Sequence, residues 1–167
     1  MSKTDTVQSA QYLTFGLHTD QFAIDVSKAR EILDFANLTK VPQAPKYMLG
    51  VLNLRGSVVP VIDLRLKFGL PLKERTKESC YIVVEVNYDG ELLTIGALVD
   101  SVSEVVDIRA DQIEPPPRIG TKLDNDFIQG MGNLGEKFVI ILDIDKVFSA
   151  DELEFAQGIE EETEAVV

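Results

Sequence analysis

The segment "GVLNLRGSVVPVIDLRLKF" (50–68) matches a second segment, "GMGNLGEKFVIILDIDKVF" (130–148), at a constant offset of 80 without a gap. Six of the nineteen aligned positions are identical: Gly50/Gly130, Asn53/Asn133, Leu54/Leu134, Val59/Val139, Asp63/Asp143 and Phe68/Phe148. Unrelated segments of this length would share about one residue. The chain therefore contains two copies of one small unit.

The likeness extends upstream of these segments. The stretch "VSKAREILD" (26–34) aligns with "VDSVSEVVD" (99–107), sharing a valine, a glutamate and an aspartate. We expect a single domain over 1–167 with two approximate subdomains, 11–70 and 80–148, and an acidic C-terminal tail at 150–167. The length suits one domain or two small, closely packed subdomains.

Short apolar segments with turn signals surround both copies. "QYLTFGL" and "QFAIDV" (11–26) predict one hairpin, and "CYIVVEVN" and "ELLTIGALV" (80–99) predict another, turning at "YDG". After each hairpin, "SKAREI" (27–32) and "DSVSEVVDI" (100–108) predict a cap, one helical turn and a strand. The pattern favours an all-β barrel or sandwich with short helices.

The predicted turn at Arg55 and Gly56 contains a glycine that shapes the turn and an arginine whose side chain is exposed. Both copies place an asparagine before the turn and a glycine in it, and glycine supplies the positive φ that a tight hairpin needs. Asp63 and its counterpart Asp143 suit the N-cap of a short helix. Arg55 has no counterpart in the second copy, which predicts that it serves function rather than folding.

The residues that most enzymes use are scarce. The single histidine, His18, falls in a predicted turn, and the single cysteine, Cys80, opens an apolar strand where we expect a buried, inert thiol. With His18 expected in an exposed turn and Cys80 in a buried strand, neither a Cys-His pair nor a zinc cluster is indicated. "DID" (143–145) resembles an acidic metal pair, but the other copy reads "DLR", which favours a helix cap. We expect no enzyme, no cofactor and no metal.

The formal net charge of -12 disfavours nucleic acid and anionic lipid as direct partners, because their phosphates would repel the protein. Residues 151–167 hold seven acids and no base, so they carry -7 of this charge. No signal peptide or membrane span is evident, which predicts a cytosolic protein. We expect the tail after Ala150 to be dispensable for folding.

The segments "FAIDVSKAREIL", "GVLNLRGSVVPVIDLRLKFGL" and "IGALVDSVSEVVDI…DQIEPPP" resemble the CheW family of bacterial chemotaxis adaptors over about Tyr12 to Phe148. The resemblance implies two interlocked five-stranded, SH3-like β-barrels without catalytic activity. It implies an adaptor between the cytoplasmic tips of transmembrane chemoreceptors and the regulatory domain of the histidine kinase CheA. Such a protein is a monomer on its own, cytoplasmic, and recruited into large receptor arrays at the inner face of the cell membrane.

The resemblance also assigns residues to partners. The residues that match receptor-binding positions are Arg55, Asn53, Gly56, Val99 and Val102, the valines beside an apolar groove between the barrels where a receptor helix lies. The residues that match kinase-binding positions are Ala29, Glu31 and Ile32, although the glutamate can also serve the receptor. A second contact that joins CheA domains into rings falls on the proline-bearing connector, at Glu114, Arg118 and Ile119, whose charges the family does not fix.

Two alternatives share this fold. One is a CheW-like adaptor in a chemosensory pathway that controls pilus motility or gene regulation. The other is the adaptor part of a CheV-like protein, which we discount because 167 residues leave no room for a receiver domain. A hydrolase on an SH3-like barrel would need convergent acids with shifted pKa values.

Overall fold

We describe a computed structural model of the chain, covering residues 8–34, 38–44, 46, 48–70, 74–115, 127–150, 152–154 and 157–158. Its strands are β1 (Ser9–Leu17), β2 (Asp20–Asp25), β3 (Ala29–Asp34), β4 (Met48–Leu54), β5 (Ser57–Asp63), β6 (Cys80–Tyr88), β7 (Glu91–Val99), β8 (Ser101–Arg109), β9 (Ile113–Glu114), β10 (Ile128–Asn133) and β11 (Phe138–Leu142). Two short helices, α1 (Leu64–Lys67) and α2 (Ile144–Val147), and two 3₁₀ turns, Val26–Lys28 and Ala110–Gln112, complete the named elements. The predicted all-β fold with short helices is confirmed.

The strands form two curled sheets that exchange hairpins between the halves of the chain. One sheet has the order β3-β6-β7-β5-β4, and the other has the order β8-β1-β2-β11-β10-β9. The N-terminal hairpin β1–β2 therefore lies among strands of the second half, while the hairpin β6–β7 lies among strands of the first. This exchange is the predicted interlocking, with a sixth, two-residue strand added to one sheet. The limits 11–70 and 80–148 remain a prediction about the sequence repeat.

The registers of the two sheets repeat each other. Val61 of β5 pairs in parallel with Gly96 of β7, and Ile141 of β11, which aligns with Val61, pairs in parallel with Ala23 of β2. The short outer strand also has a counterpart. β9 pairs with β10 in one barrel, and a single bridge pairs Thr39 with β4 in the other. The two barrels are thus equivalent strand by strand.

Side chains alternate between two cores along each strand. The largest cluster combines both sheets, with Leu13 and Phe15 of β1 packing together with Ile82 and Val84 of β6. The opposite faces form one smaller cluster per barrel, around Tyr12 in one and Tyr81 in the other. Burial on both faces explains why β1 and β6 are nearly continuous apolar runs.

The repeated glycines Gly50 and Gly130 are explained by a close approach of backbones. The register of each hairpin shifts at this glycine. A methyl group on Gly50 would lie 2.5 Å from the carbonyl oxygen of Thr39, and one on Gly130 would lie 2.9 Å from that of Glu114. The neighbouring outer segment leaves no room for a side chain in either barrel.

Several local predictions are confirmed. The carboxylate of Asp63 accepts the N–H of Arg65 at 2.9 Å, and that of Asp143 accepts the N–H of Asp145 at 3.2 Å, so both aspartates cap short helices. His18 lies in the turn between β1 and β2, and Cys80 is buried. Burial, with a smaller effect of the nearby charge of Asp34, raises the pKa of the Cys80 thiol.

Two local predictions are wrong. The 3₁₀ turn Val26–Lys28 is capped by Asp25, which accepts the N–H of Ser27 at 2.9 Å, rather than by Ser27 itself. The segment after Val99 forms no helical turn, because Ser101–Arg109 is one strand paired with β1 along its length. Pairing with the exchanged hairpin overrides the local capping signal there.

The expectation that everything after Ala150 is dispensable for folding is also corrected. Leu153 is buried in the shared core, and Glu152 is buried beside Lys67 at 2.5 Å. Ser149 begins this turn, since its hydroxyl accepts the N–H of Glu152 at 3.2 Å. The folded body therefore extends through Leu153.

Candidate functional site

The turn between β4 and β5 holds its arginine in an unusual backbone conformation. Arg55 and Gly56 are the two central residues, with φ of 52° and 87°. The Asn53 side-chain oxygen accepts the N–H of Gly56 at 3.0 Å, which fixes the turn. A left-handed conformation costs a non-glycine residue roughly 1–2 kcal/mol. The sequence keeps arginine at this position despite the cost.

Arg55 forms a two-point ion pair with Glu31 of β3. Arg55 Nη1 donates to Glu31 Oε1 at 2.8 Å, and Nη2 donates to Oε2 at 3.1 Å. Because β3 and β4 are opposite edges of the same sheet, the pair joins the two edges of the curled sheet. The Arg55 side chain remains 72% exposed, whereas that of Glu31 is 21% exposed. A planar guanidinium donor over a carboxylate is a specific and strongly oriented arrangement.

The pair is ionised at neutral pH. The hydrogen bonds from Arg55 lower the pKa of Glu31; partial desolvation opposes this, and the charges of Arg55 and Arg30 add to the lowering. The same hydrogen bonds and the charge of Glu31 raise the pKa of Arg55. Glu31 is thus a fixed negative charge, and Arg55 presents the remainder of its guanidinium to solvent.

Ile32 lies next to Glu31 but on the opposite face of the strand. Glu31 is opposite Val83 and Ile32 is opposite Ile82 in the β3–β6 register, and neighbours in a strand point to opposite sides. Ile32 is 46% exposed although it is a large apolar side chain. Its exposure on an edge strand, flanked by the exposed residues Arg30 and Asp34, is typical of a protein contact surface.

Three other residues that the family resemblance assigns to partners lie around the shared core: Ala29, Val99 and Val102. Ala29 and Val102 are half-buried and pack against it. Val99 is inside it and only 1% exposed. Val99 therefore supports the core beside Val102, and its assignment to a receptor helix stays a prediction.

The predicted ring-contact residues are separated from Arg55 and Glu31. Glu114 lies in β9, at the far edge of the other sheet, where its carboxylate accepts a hydrogen bond from Asn133 Nδ2 at 3.3 Å. Arg118 and Ile119 lie outside the described residues. The structure thus joins residues assigned to two partners, Arg55 and Glu31, and places Glu114 elsewhere.

Sequence reasoning did not find the partner of Arg55. The signal was available in the repeat, because Glu31 aligns with Glu104 while Arg55 aligns with Gly135. The second copy thus carries the glutamate without the arginine. The first copy has both the glutamate and an arginine, whereas the second copy has only the glutamate. This difference indicates that the first copy has gained an ion pair.

Within the described part of the chain, no group of three or more His, Cys, Asp or Glu side chains could hold a metal ion. Among the same residues, no helix is long and apolar enough to cross a membrane. What the site offers is a surface: an oriented guanidinium, a carboxylate and an exposed isoleucine on one barrel.

Known proteins are similar to this chain in sequence and fold. The family model described as "CheW-like domain" matches residues 11–152. "Chemotaxis protein CheW" of Klebsiella aerogenes is 34% identical over 152 residues, covering 89% of this chain and 87% of that one. Its namesake in Helicobacter pylori is 33% identical over 147 residues, covering 88% and 86%.

A solved structure is similar over most of this chain. The crystal structure of scaffolding protein TtCheW from Thermoanaerobacter tengcongensis superposes with a TM-score of 0.76 at 32% identity, covering 87% of this chain and 96% of that one. The chain belongs to the CheW family, the scaffold proteins of chemotaxis.

Proposed function

We propose that this protein is a non-enzymatic adaptor that couples transmembrane chemoreceptors to the histidine kinase CheA. Family membership supports the proposal, because its relatives are named chemotaxis proteins and a solved relative is titled a scaffolding protein. The adaptor acts in the cytoplasm, is a monomer on its own, and joins receptor arrays at the inner face of the membrane.

The observation that carries the proposal is the Arg55–Glu31 pair beside Ile32. The family resemblance assigns Arg55 to the receptor and Glu31 with Ile32 to the kinase, and these residues lie within one contact of each other. A receptor carboxylate or carbonyl that binds the exposed part of Arg55 alters the field at Glu31. The two partners can therefore influence each other through one ion pair without a large conformational change.

The kinase contact is assigned to the outer face of β3. Ile32 is the apolar anchor there, and Glu31 reaches the rim from the other face. Burying the exposed part of an isoleucine against a partner contributes roughly 1 kcal/mol or more. Glu114, with Arg118 and Ile119 of the connector, is the proposed second contact that extends rings of CheA domains.

The test is a reconstitution of receptor, CheA and this protein with Arg55→Ala. We expect receptor-dependent kinase activation to fall at least about tenfold, because the receptor loses its charged anchor. The melting temperature should change by less than about 2 °C, since an exposed ion pair contributes little to folding.

Arg109→Ala is the matched control. Arg109 is exposed, is paired with Asp111 at 3.1 Å, and ends a strand of the other sheet. We expect this variant to activate the kinase as wild type does. If Arg55→Ala also supports full receptor-dependent activation, Arg55 does not couple the partners and the proposal is wrong.

A further inference from the structure

Each barrel has a junction at which an exchanged hairpin meets a short helix through an ion pair. In one junction, Lys28, three residues after β2, lies 3.1 Å (Nζ to Oδ2) from Asp145 of α2. In the other, Asp100, directly after β7, lies 3.3 Å (Oδ1 to Nε) from Arg65 of α1. We call these the outer junction and the inner junction, since the side chains of the first are about 30% exposed and those of the second at most 11%.

The two junctions occupy equivalent places in the repeat but have opposite polarity. Arg65 aligns with Asp145 at the offset of 80, and Asp100 aligns within one position of Lys28 in the upstream alignment. The base is therefore on the hairpin in the outer junction and on the helix in the inner junction. The helix residues at the aligned position and the hairpin residues one position apart have exchanged the sign of their charges.

The tip of the opposite hairpin binds the carboxylate in both junctions. The backbone N–H of His18, at the β1–β2 turn, donates to Asp100 Oδ2 at 2.7 Å. The backbone N–H of Asn87, near the β6–β7 turn, donates to Asp145 Oδ1 at 2.9 Å. Each junction thus joins one short helix with both hairpins, so the position of each hairpin bears on both barrels.

We propose that this reversed polarity is a charge code that assigns each hairpin to its own barrel. Both hairpins are antiparallel and turn at two residues, although β6–β7 is the longer, so backbone pairing alone does not assign either hairpin to a barrel. If they changed places, Lys28 would face Arg65 and Asp100 would face Asp145. Like charges would oppose the wrong assembly while the native pairs favour the right one, most strongly in the inner junction, where the side chains are at most 11% exposed and screening is weak.

The charge code matters because the interlocked fold can misassemble in two ways. A hairpin can enter the other barrel of its own chain, or it can enter a barrel of a second copy. In both cases the like-charge encounters arise when the hairpin enters the barrel that is not its own, whereas entry into the equivalent barrel of a second copy restores the native pairs. The code therefore opposes placement of a hairpin in the wrong barrel during folding.

The decisive variant is Lys28→Asp with Asp145→Lys. It retains an ion pair in the outer junction but gives both junctions the same polarity, so either hairpin fits either barrel. After refolding from denaturant at micromolar concentration, we expect the misassembled fraction to rise about threefold or more over wild type. Hydrogen exchange followed by mass spectrometry would report a second population in the β1 and β2 peptides, and light scattering would show whether a second copy is involved.

The variant Lys28→Ala with Asp145→Ala distinguishes the code from a mere loss of stability. It removes the pair without making the wrong assembly attractive, so it should misassemble less than the charge-exchanged variant. Exchanging the exposed pair Arg109 and Asp111, by Arg109→Asp with Asp111→Arg, controls for altered charge order and should refold like wild type.

A second readout uses Lys28→Asp alone. This change places two carboxylates in the native outer junction and a complementary charge toward Arg65 in the wrong assembly. The native and the wrong assembly then each have one favourable and one unfavourable encounter, so we expect this variant to misassemble about as much as the charge-exchanged variant. The proposal is overturned if the charge-exchanged variant refolds to a single population like wild type, or if the alanine variant misassembles as much.

Discussion

The two repeated turns, at Arg55 and at Gly135, occupy the same place in equivalent barrels and differ in what they do. In the first, Asn53 accepts the N–H of Gly56, and arginine occupies a left-handed position. In the second, Asn133 accepts the N–H of Gly135 at 3.0 Å, and this glycine occupies the equivalent position with φ of 93°. The glycine turn is the less strained solution.

The difference separates architecture from function at a single residue. Both turns close their hairpins, so closure does not require arginine. Only the first turn forms an ion pair with its glutamate; Glu104, the counterpart of Glu31, is tied to Thr14 through its backbone. The first barrel tolerates backbone strain at this turn and displays a guanidinium that its partner barrel lacks there.

The largest loss of stability is expected for a change just beyond the segment in which the two copies align. The repeat ends at Phe148, yet Leu153 beyond it is buried in the shared core. Leu153→Ala should destabilise the protein by about 3 kcal/mol, because it leaves a cavity. Thermal melts should show a decrease of roughly 6–12 °C. Truncation after Gly158 retains Leu153 and should leave the melting temperature unchanged; an equal loss in both would mean that the far tail, rather than Leu153, stabilises the fold.

The repeated glycines test whether the barrels are equally tight. Gly50→Ala and Gly130→Ala should each destabilise the protein by about 1–3 kcal/mol, because each methyl group would contact backbone of the neighbouring segment. Gly50→Ala should cost more, since its clash with the Thr39 carbonyl oxygen, at 2.5 Å, is the closer one. Denaturant unfolding measures the order. Gly158→Ala, with open space around it, is the control; a reversed order would show that the outer segment at Thr39 moves more readily than β9.

The exposed apolar residues of β3 and β8 test whether the two barrels share a partner. Ile32 and Val105 align in the repeat and are 46% and 48% exposed. Ile32→Asp should weaken binding to the CheA regulatory domain at least about tenfold, because a charge replaces the apolar anchor.

Val105→Asp is the matched change and should alter that affinity less than about twofold. Calorimetry measures both affinities, and melting curves show whether either variant is unfolded. Equal losses of affinity in two well-folded variants would show that the kinase contact is not confined to β3.

The smallest expected effect is on how the stability of the fold decreases at low pH. The pKa of Glu31 is lowered in the folded protein, so the Arg55 pair stabilises the fold above the unfolded pKa and this contribution is lost as pH falls through the folded pKa. In Arg55→Ala, carboxyl NMR should show the Glu31 pKa rising toward its ordinary value. Arg30→Ala, which removes only the weaker charge effect, should raise it less; an equal rise would show that the two-point hydrogen bond is not the main cause.

Local features of the fold could be predicted from the residue patterns alone, whereas the interlocking of the barrels was implied only by the family resemblance. The helix caps Asp63 and Asp143 and the turn at Asp89 and Gly90 depend on neighbouring residues, and all are present. The alignment of the repeats cannot show in which sheet a hairpin lies, because both barrels offer the same edge. The Arg55–Glu31 contact depends on the curl that brings β3 toward the β4–β5 turn, which no local pattern encodes.

The exchange of hairpins has a consequence for the origin of the fold. One repeat on its own cannot complete a barrel, because its hairpin belongs to a sheet whose other strands come from the other repeat. The smallest complete assembly of an ancestral single repeat is therefore a twofold-symmetric homodimer with swapped hairpins. Fusion of two gene copies would have joined the two halves in one chain and allowed their sequences to diverge. Only then could one half gain an arginine at its turn, and only then could two once-identical junctions take opposite signs.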